Sequence, residues 1–178
     1  MKKIIFCYVT ICFISCTNKN KRLDFEKFHI NVPATWNKIE IKGIDSNVYA
    51  IVTENSDSIF LDFGKYSESF NETNKVFSRE QIQKYKMMKM ETKALYFSDN
   101  PEIDQAQGTF LKEYYYYDTI DNIAAKLKIP KIPSKGETGI HFANIDRNGN
   151  YLTIIGKNLN SKEQTSLIEA FKTIKVKK

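Results

Sequence analysis

Alternation of apolar and polar residues predicts several short strands in the first third of the chain. Phe28, Ile30 and Val32 alternate with polar neighbours before Pro33, and the same period of two recurs around Ile39. Two runs rich in β-branched and aromatic residues follow, at residues 48–53 and 59–63. Because the connections between these four runs are short, they predict an antiparallel meander.

Two later segments have helical periodicity, and each opens with serine followed three residues on by glutamine, a capping box. The first begins at Ser78, and its apolar stripe predicts a helix ending near residues 98–101. The second begins at Ser161. The apolar stripe of the first is Ile82, Tyr85, Met88, Thr92 and Leu95, and that of the second is Leu167, Ile168, Phe171 and Ile174.

The remaining apolar runs predict further strands in the second half of the chain. These runs cover residues 108–117, 123–129, 139–146 and 151–155. Asn148-Gly149, between the last two, is a strong hairpin signal. The predicted fold class is therefore α+β: a single antiparallel sheet packed by two main helices, in one domain spanning residues 25–178.

The first sixteen residues have the layout of an export signal. Met1-Lys2-Lys3 is positively charged, residues 4–14 are uncharged and mostly apolar, and Ser15 and Cys16 follow. The apolar run is shorter than the roughly 20 residues that span a bilayer as a helix. Residues 1–15 are therefore predicted to be a signal peptide, with residues 16–24 as a polar tether.

Phe13-Ile14-Ser15-Cys16 resembles a bacterial lipobox, although Phe13 stands where leucine is usual. The resemblance implies cleavage between Ser15 and Cys16 and a lipid on Cys16, which would anchor the chain in a membrane. Thr17 after the cysteine resembles sequences that are delivered to the outer membrane, so a periplasm-facing position there is expected. An ordinary secretory signal and an uncleaved anchor are the alternatives.

Composition narrows the possible chemistry of the mature chain. All three cysteines lie within the first sixteen residues, so cleavage would leave no free thiol for catalysis, metal binding or a disulfide. The formal net charge is +6, but the charges are interspersed. Nucleic-acid binding needs a clustered basic face, so it is not expected.

A second resemblance concerns the order of elements. Val32-Pro33 followed by Trp36, and a closing strand, helix and short strand over residues 151–177, are similar to PsbP-like domains. Stretches at 43–46 and 62–67 also resemble small envelope lipoproteins of Gram-negative bacteria. The PsbP-like resemblance implies a sandwich and mostly non-catalytic work as accessory subunits, scaffolds or chaperone-like binders. It supplies no catalytic residue.

Few residues suggest chemistry of their own. His29 and His141 lie on separate predicted strands, with no nucleophile motif beside them, so both are interpreted as structural. Methionines 87, 88 and 90 are interpreted as core filling rather than a copper site. The acidic group at 99–104 is interpreted as a solvated loop rather than a calcium site. No catalytic residue, metal or cofactor is predicted.

The most unusual string is four tyrosines, residues 114–117. In a strand, Tyr114 and Tyr116 point to one face, and Tyr115 and Tyr117 to the other. One pair is expected to pack inward. Tyr115 and Tyr117 are assigned to a candidate partner-binding surface, because exposed tyrosines suit protein contact. The alternative is a tyrosine-rich strand that a helix covers.

The sequence thus favours a lipid-anchored, non-catalytic binding or scaffold module of the cell envelope, held to the membrane through Cys16 and acting on a protein partner. Two alternatives stay open. One is an immunity or inhibitor lipoprotein whose cationic surface, with open tyrosines, caps an acidic toxin site. The other is an enzyme that uses a convergent carboxylate pair in a cleft.

Overall fold

A computed structural model describes residues 19–41, 46–70 and 72–177. Ser15 and Cys16, on which the lipid prediction falls, lie outside the described residues. Residues 20–24, which the sequence analysis assigns to the tether, form a strand. No helix among the described residues is long and apolar enough to span a membrane.

Twelve strands and three helices lie in these ranges. The strands are β1 (Asn20–Asp24), β2 (Phe28–Pro33), β3 (Asn37–Ile41), β4 (Asn47–Val52), β5 (Ser58–Gly64), β6 (Val76–Ser78), β7 (Tyr96–Ser98), β8 (Glu113–Ile120), β9 (Ile123–Pro130), β10 (Glu137–Phe142), β11 (Tyr151–Lys157) and β12 (Lys175–Val176). The helices are α1 (Arg79–Met87), α2 (Pro101–Gln107) and α3 (Ser161–Phe171).

The strands form two main sheets rather than one. The larger sheet is antiparallel and has seven strands, in the order β3-β4-β5-β11-β10-β9-β8. The second has the order β1-β2-β12, and β6 pairs with β7 in a small parallel ladder. The prediction of a single sheet packed by two main helices is therefore wrong, since the described residues are mostly β.

The error arises at the turn between β2 and β3. The N–H of Trp36 donates to the carbonyl of Pro33 at 3.0 Å, and this turn carries the chain from the small sheet to the large one. β2 pairs instead with β1 and with the C-terminal β12. The local pattern of β2 specifies a strand, but its partners come from distant sequence, which periodicity does not report.

The core lies between the large sheet and a second layer made of β2 and α3. Helix α3 packs against β2 and β10. Buried and half-buried residues alternate along β2, whereas five of the six residues of β10 are buried. The largest fully buried side chains are Trp36, Phe25, Phe28, Phe142, Phe171, Ile30, Ile51, Ile59, Leu61, Ile140, Ile145 and Leu152. The large sheet therefore has one closed face and one outer face.

Helix α1 is shorter than its stripe predicts. The capping box at Ser78 is confirmed, but the helix ends at Met87. Lys89 adopts a left-handed φ of 57°, its N–H donates to Lys86, and the N–H of Met90 donates to Tyr85. This is a Schellman motif with lysine at the usual glycine position, so the sequence carries no visible stop signal.

The methionines at and just beyond the end of α1 are exposed, so the prediction that they fill the core is wrong. Met87, Met88 and Met90 lie near or beyond the end of α1, outside the buried cluster. The start of α3 also differs by one residue: Asn160, not Ser161, is the N-cap, and its side chain accepts from the N–H groups of Lys162 and Glu163. Of the predicted apolar face, Leu167 and Phe171 are buried on α3, Ile168 is half-buried, and Ile174 is buried beyond the end of the helix.

Candidate functional site

The four tyrosines lie on β8, an edge strand of the large sheet. Tyr117 is 72% exposed, Tyr114 60% and Tyr116 40%, while Tyr115 is half-buried. Neither pair packs into the core, so the expectation of one inward pair is wrong. Helix α3 contacts β2 and β10 and does not cover β8. The structure thus presents a tyrosine-rich edge, here called the β8 edge.

The hairpin that joins β8 to β9 determines which backbone groups of β8 face outward. Asp121 and Asn122 form its two-residue turn, with φ of 51° and 64°, which is typical of a type I′ turn. The flanking Ile120 and Ile123 are therefore a hydrogen-bonded pair, and such pairs alternate along the ladder. The N–H of Lys131 donates to the carbonyl of Lys112 at 2.9 Å, as this alternation requires.

It follows that Tyr114 and Tyr116 direct their backbone groups toward β9, whereas those of Tyr117 and Thr119 point away from the sheet. The N–H of Thr119 already donates to the carboxylate of Asp118 at 2.7 Å. No strand among the described residues pairs with β8 on that side. Tyr117 therefore offers both a backbone donor and an exposed aromatic ring along the same edge.

Two lysines of β9 lie next to Tyr115 and Tyr117, the tyrosines on the outer face of the large sheet. Lys128 is opposite Tyr115 and Lys126 is opposite Tyr117. The ammonium of Lys128 lies 5.8 Å from the centroid of the Tyr115 ring, and that of Lys126 lies 5.5 Å from the centroid of the Tyr117 ring. Both distances suit a cation–π contact, which orients the rings.

These lysines do not make the edge cationic, because each has a carboxylate partner. Lys126 pairs with Glu72, and Lys128 with Glu137. Burial acts to lower the pKa of Lys128, but the hydrogen bond and charge of Glu137 outweigh it and raise that pKa above its usual value. The same attraction lowers the pKa of Glu137, against the effect of burial.

Phe70 covers the centre of the outer face next to the β8 edge. Its ring lies 6.4 Å from that of Tyr115 and 6.0 Å from that of His141, measured between centroids. A Cβ added at Gly139 would come within 2.8 Å of the Phe70 ring. Glycine at position 139 thus lets the chain after β5 fold down onto the sheet beside Tyr115.

Two clefts adjoin the β8 edge. One, of about 610 Å³, lies between α2 and the start of β8, and Tyr114 and Tyr115 form part of its wall. The other, of about 670 Å³, lies where β8 and β10 begin and β9 ends, and is lined by Ile132 and Lys157 among others. Leu111, Glu113 and Lys131 line both. Side chains of a bound chain would find room there.

The histidines are not brought together. His29 lies on β2 of the small sheet, whereas His141 is buried on the outer face of the large sheet. His141 Nδ1 lies 2.8 Å from Oγ1 of Thr153, whose hydroxyl donates to the carbonyl of Glu68. Thr153 therefore accepts the Nδ1–H of a neutral imidazole. Burial, with the charge of Lys126, lowers the pKa of His141.

Ser67 joins this network without forming a nucleophile and base pair. Its Oγ lies 2.9 Å from Oγ1 of Thr153 and 3.1 Å from the carbonyl oxygen of Asp62, so its single proton has acceptors other than the imidazole of His141. A serine nucleophile needs its proton directed to the base. The group instead fastens the chain after β5 to the outer face of the sheet.

A hydrogen-bonded carboxyl pair, Asp57 and Glu163, lies away from the two clefts. Asp57 follows the β4–β5 turn and Glu163 is buried in the first turn of α3. Their hydrogen bond raises the pKa of Asp57. Burial acts to raise the pKa of Glu163, but hydrogen bonds from Thr53, Asp57 and Asn55 lower it overall. This pair ties α3 to the turn, and neither carboxyl lines the clefts at β8.

The acidic residues at 99–104 are engaged locally. Asp99 pairs with Arg79 at 3.2 Å, and Asp104 accepts from the hydroxyl of Thr109 at 2.8 Å. No group of three or more His, Cys, Asp or Glu side chains arranged to hold a metal occurs among the described residues.

No protein-family model matches the chain, and no curated protein matches it in sequence.

Sequence reasoning selected Tyr115 and Tyr117 but missed Lys126, Lys128 and Phe70. A signal for the lysines was present: a two-residue turn at Asp121 fixes the hairpin register and places both lysines opposite the tyrosines. Phe70 lies in a polar stretch without periodicity, and only the tertiary structure places it on the sheet.

Proposed function

We propose that this protein is a lipid-anchored, non-catalytic binding module of the cell envelope, held at the outer membrane facing the periplasm. Its partner is a protein that lays an extended segment beside β8 as an added strand. The observation that carries the proposal is the β8 edge: eight residues long, rich in exposed tyrosine, and with the backbone of Tyr117 directed outward.

Strand addition suits this edge because the four residues at the middle of β8 include no charged residue and no proline. Proteins commonly guard sheet edges with charged residues, proline or bulges. Four consecutive uncharged tyrosines occupy residues 114–117 of β8, between Glu113 at its start and Asp118 directly after Tyr117. An added strand would gain main-chain hydrogen bonds, while tyrosine rings and the cleft beside α2 would receive alternate side chains.

The charge pattern favours this function over the immunity or inhibitor alternative. That alternative relied on a cationic surface around open tyrosines. Lys126 and Lys128 are neutralised by Glu72 and Glu137, so no net positive charge lies beneath Tyr115 and Tyr117. The ammonium of Lys131 lies 5.4 Å from the centroid of the Tyr114 ring, so positive charge is confined to the start of β8. The enzyme alternative needed a convergent carboxylate pair in a cleft. Glu113 and Glu137 both line the larger cleft, but Glu137 is held by Lys128 and Lys157, and the carboxylate of Glu113 accepts the backbone N–H of Glu137.

The anchoring part of the proposal is tested at Cys16. Cys16→Ser removes the atom that would carry the lipid, so the protein should leave the membrane fraction or accumulate unprocessed at higher mass. Stable anchoring needs more than one acyl chain, so a variant with none should not partition stably. Fractionation with membranes at wild-type size would contradict the anchor.

The binding part is tested by a matched pair at one exposed position. Tyr117→Pro removes an N–H that points away from β9, whereas Tyr117→Phe keeps the N–H and the ring. Lipidated full-length protein of each kind is used to capture partners from detergent-solubilised envelopes. We expect a protein held by the wild type and Tyr117→Phe but lost from Tyr117→Pro. Equal capture by Tyr117→Pro, with an unchanged melting temperature, would refute strand addition.

A further inference from the structure

The opposite end of the large sheet has an exposed apolar surface. Ile39 on β3 is 50% exposed, Phe60 on β5 is 49% exposed, and Ile41 is also exposed. Register places Ile39 opposite Ala50, and Ala50 opposite Phe60, so these side chains form one row on the outer face. This surface, Ile39, Ile41 and Phe60 on the outer face of β3–β5, is here called the β3 face.

The N-terminal strand reaches the rim of the β3 face. The carbonyl of Lys19 accepts from the N–H of Ala34 at 3.0 Å, and the ammonium of Lys21 donates to the side chain of Asn37 at 2.9 Å. Asn37 and Ile39 are two residues apart on β3, so their side chains share a face. The described chain therefore begins beside the start of β3, two residues before Ile39.

Only Thr17 and Asn18 separate Lys19 from Cys16. Three extended residues reach about 10 Å. A lipid on Cys16 would thus hold the start of β1, and with it the rim of the β3 face, within about 10 Å of the bilayer surface. At that distance some surface of this end of the molecule must meet the headgroups.

We propose that the β3 face is that surface and rests on the lipid bilayer. This inference depends on the proposed anchoring at Cys16. The competing surface near Lys19 is the outer side of β1, where Arg22 and Asp24 are exposed and paired with each other at 2.8 Å. Burying that charged pair would cost its hydration, whereas burying isoleucine and phenylalanine is favourable.

This placement also orients the β8 edge. Six strand spacings of about 4.8 Å separate β3 from β8, roughly 29 Å across the sheet. Adjacent strands rotate by roughly 20–25°, so β8 is turned far from the plane in which β3 lies. The apolar end would face lipid while the β8 edge faces the periplasm, open to a partner.

The test uses nitroxide labels on the lipidated full chain in vesicles of phosphatidylethanolamine and phosphatidylglycerol. Labels are placed through Ile39→Cys and Phe60→Cys, with Tyr117→Cys as the matched exposed control. Lipid on Cys16 would leave the introduced thiol as the single reactive one. Collision with oxygen, which concentrates in lipid, is compared with collision with a polar nickel complex by electron paramagnetic resonance. Fluorescence of the buried Trp36 checks that each variant is folded.

We expect a several-fold lower collision rate with nickel and a higher one with oxygen at positions 39 and 60, relative to 117. Labels at 39 and 60 that collide with nickel as freely as the label at 117, on protein that floats with the vesicles, would overturn docking and leave anchoring intact. Shielding that grows with protein density would mean self-association and would also overturn it. Protein that does not float at all would refute the anchor instead.

Discussion

The two edge strands of the large sheet differ in what they expose. β3 is five residues long, has the charged residues Lys38 and Glu40 on one face, and exposes isoleucines on the other. β8 is eight residues long and exposes tyrosines on both faces. An aliphatic surface has no polar group to satisfy, so it suits lipid. Tyrosine combines an apolar ring with a hydroxyl, so it suits another protein.

The difference also concerns the backbone. Charges at Lys38 and Glu40, paired at 3.3 Å, guard β3 against another strand. The centre of β8 has no such charge, and its lysine neighbours on β9 are paired internally. The large sheet thus has one edge, β8, that suits strand addition and one edge, β3, that resists it. At β3, we expect contact with other molecules through the apolar face only.

The largest expected effect is a difference in the free energy of unfolding between a variant on the closed face of the large sheet and one on the open β3 face. Phe142 is 1% exposed on β10, so Phe142→Ala should lower the free energy of unfolding by about 3–5 kcal/mol. Phe60→Ala, the same substitution on the β3 face, should cost less than about 1 kcal/mol. Urea denaturation measures both. Equal losses would mean that the β3 face is packed rather than open.

A second pair tests the backbone direction assigned to β8. Tyr116→Pro removes a hydrogen bond to β9 and should lower the free energy of unfolding by about 2–3 kcal/mol. Tyr117→Pro removes an N–H that points outward, so its cost should be below about 1 kcal/mol. Thermal and urea unfolding compare the two variants. A larger loss of stability in Tyr117→Pro than in Tyr116→Pro would contradict the backbone direction assigned to β8.

A third pair compares the carboxylates near the two edges. Glu137 holds the buried Lys128 under the β8 edge, so Glu137→Gln should cost about 1–2 kcal/mol at neutral pH. Glu40→Gln, on β3, should cost less than about 0.5 kcal/mol, because Glu40 is largely exposed. The two variants are compared by urea unfolding at pH 7. A similarly small loss of stability in both variants would show that the Lys128–Glu137 pair does not stabilise the fold.

The pH dependence has a definite sign. The pKa of Glu137 is lowered in the folded state, so its contribution to stability is complete above about pH 4.5 and is lost as pH falls through the lowered pKa. The wild type should therefore lose its advantage over Glu137→Gln on acidification. A constant difference between their unfolding midpoints from pH 6 to pH 3 would contradict this.

The positions of most strands followed from local pattern, although β1 was assigned to the tether and β7 to a helix, whereas the pairing of β2 did not. Alternation at Phe28–Pro33 and at Ile39 located β2 and β3, but nothing local assigned them to different sheets. The partners of β2 are β1 and β12, and β12 lies more than 140 residues away in sequence. Likewise Lys89 closes α1 without glycine, so periodicity continued the helix too far.

At the candidate site, the sequence selected the tyrosines but not their exposure. Burial of a tyrosine strand depends on which helix covers it, and α3 packs on β2 and β10 instead. The β3 face was not expected either, because alternation at Ile39 indicates a strand without saying which side is covered. The second layer covers the other side, where Lys38 points, so the usual rule of apolar side inward failed at β3.

The contrast between the two edges is tested most directly by photo-crosslinking in intact cells. A benzophenone amino acid replaces Tyr117, Phe60 or, as an exposed control on α3, Thr165. Our account predicts discrete protein adducts from position 117, lipid adducts without protein from position 60, and neither from position 165. Position 117 giving no more adduct than position 165, or position 60 giving the same protein adducts as 117, would contradict it.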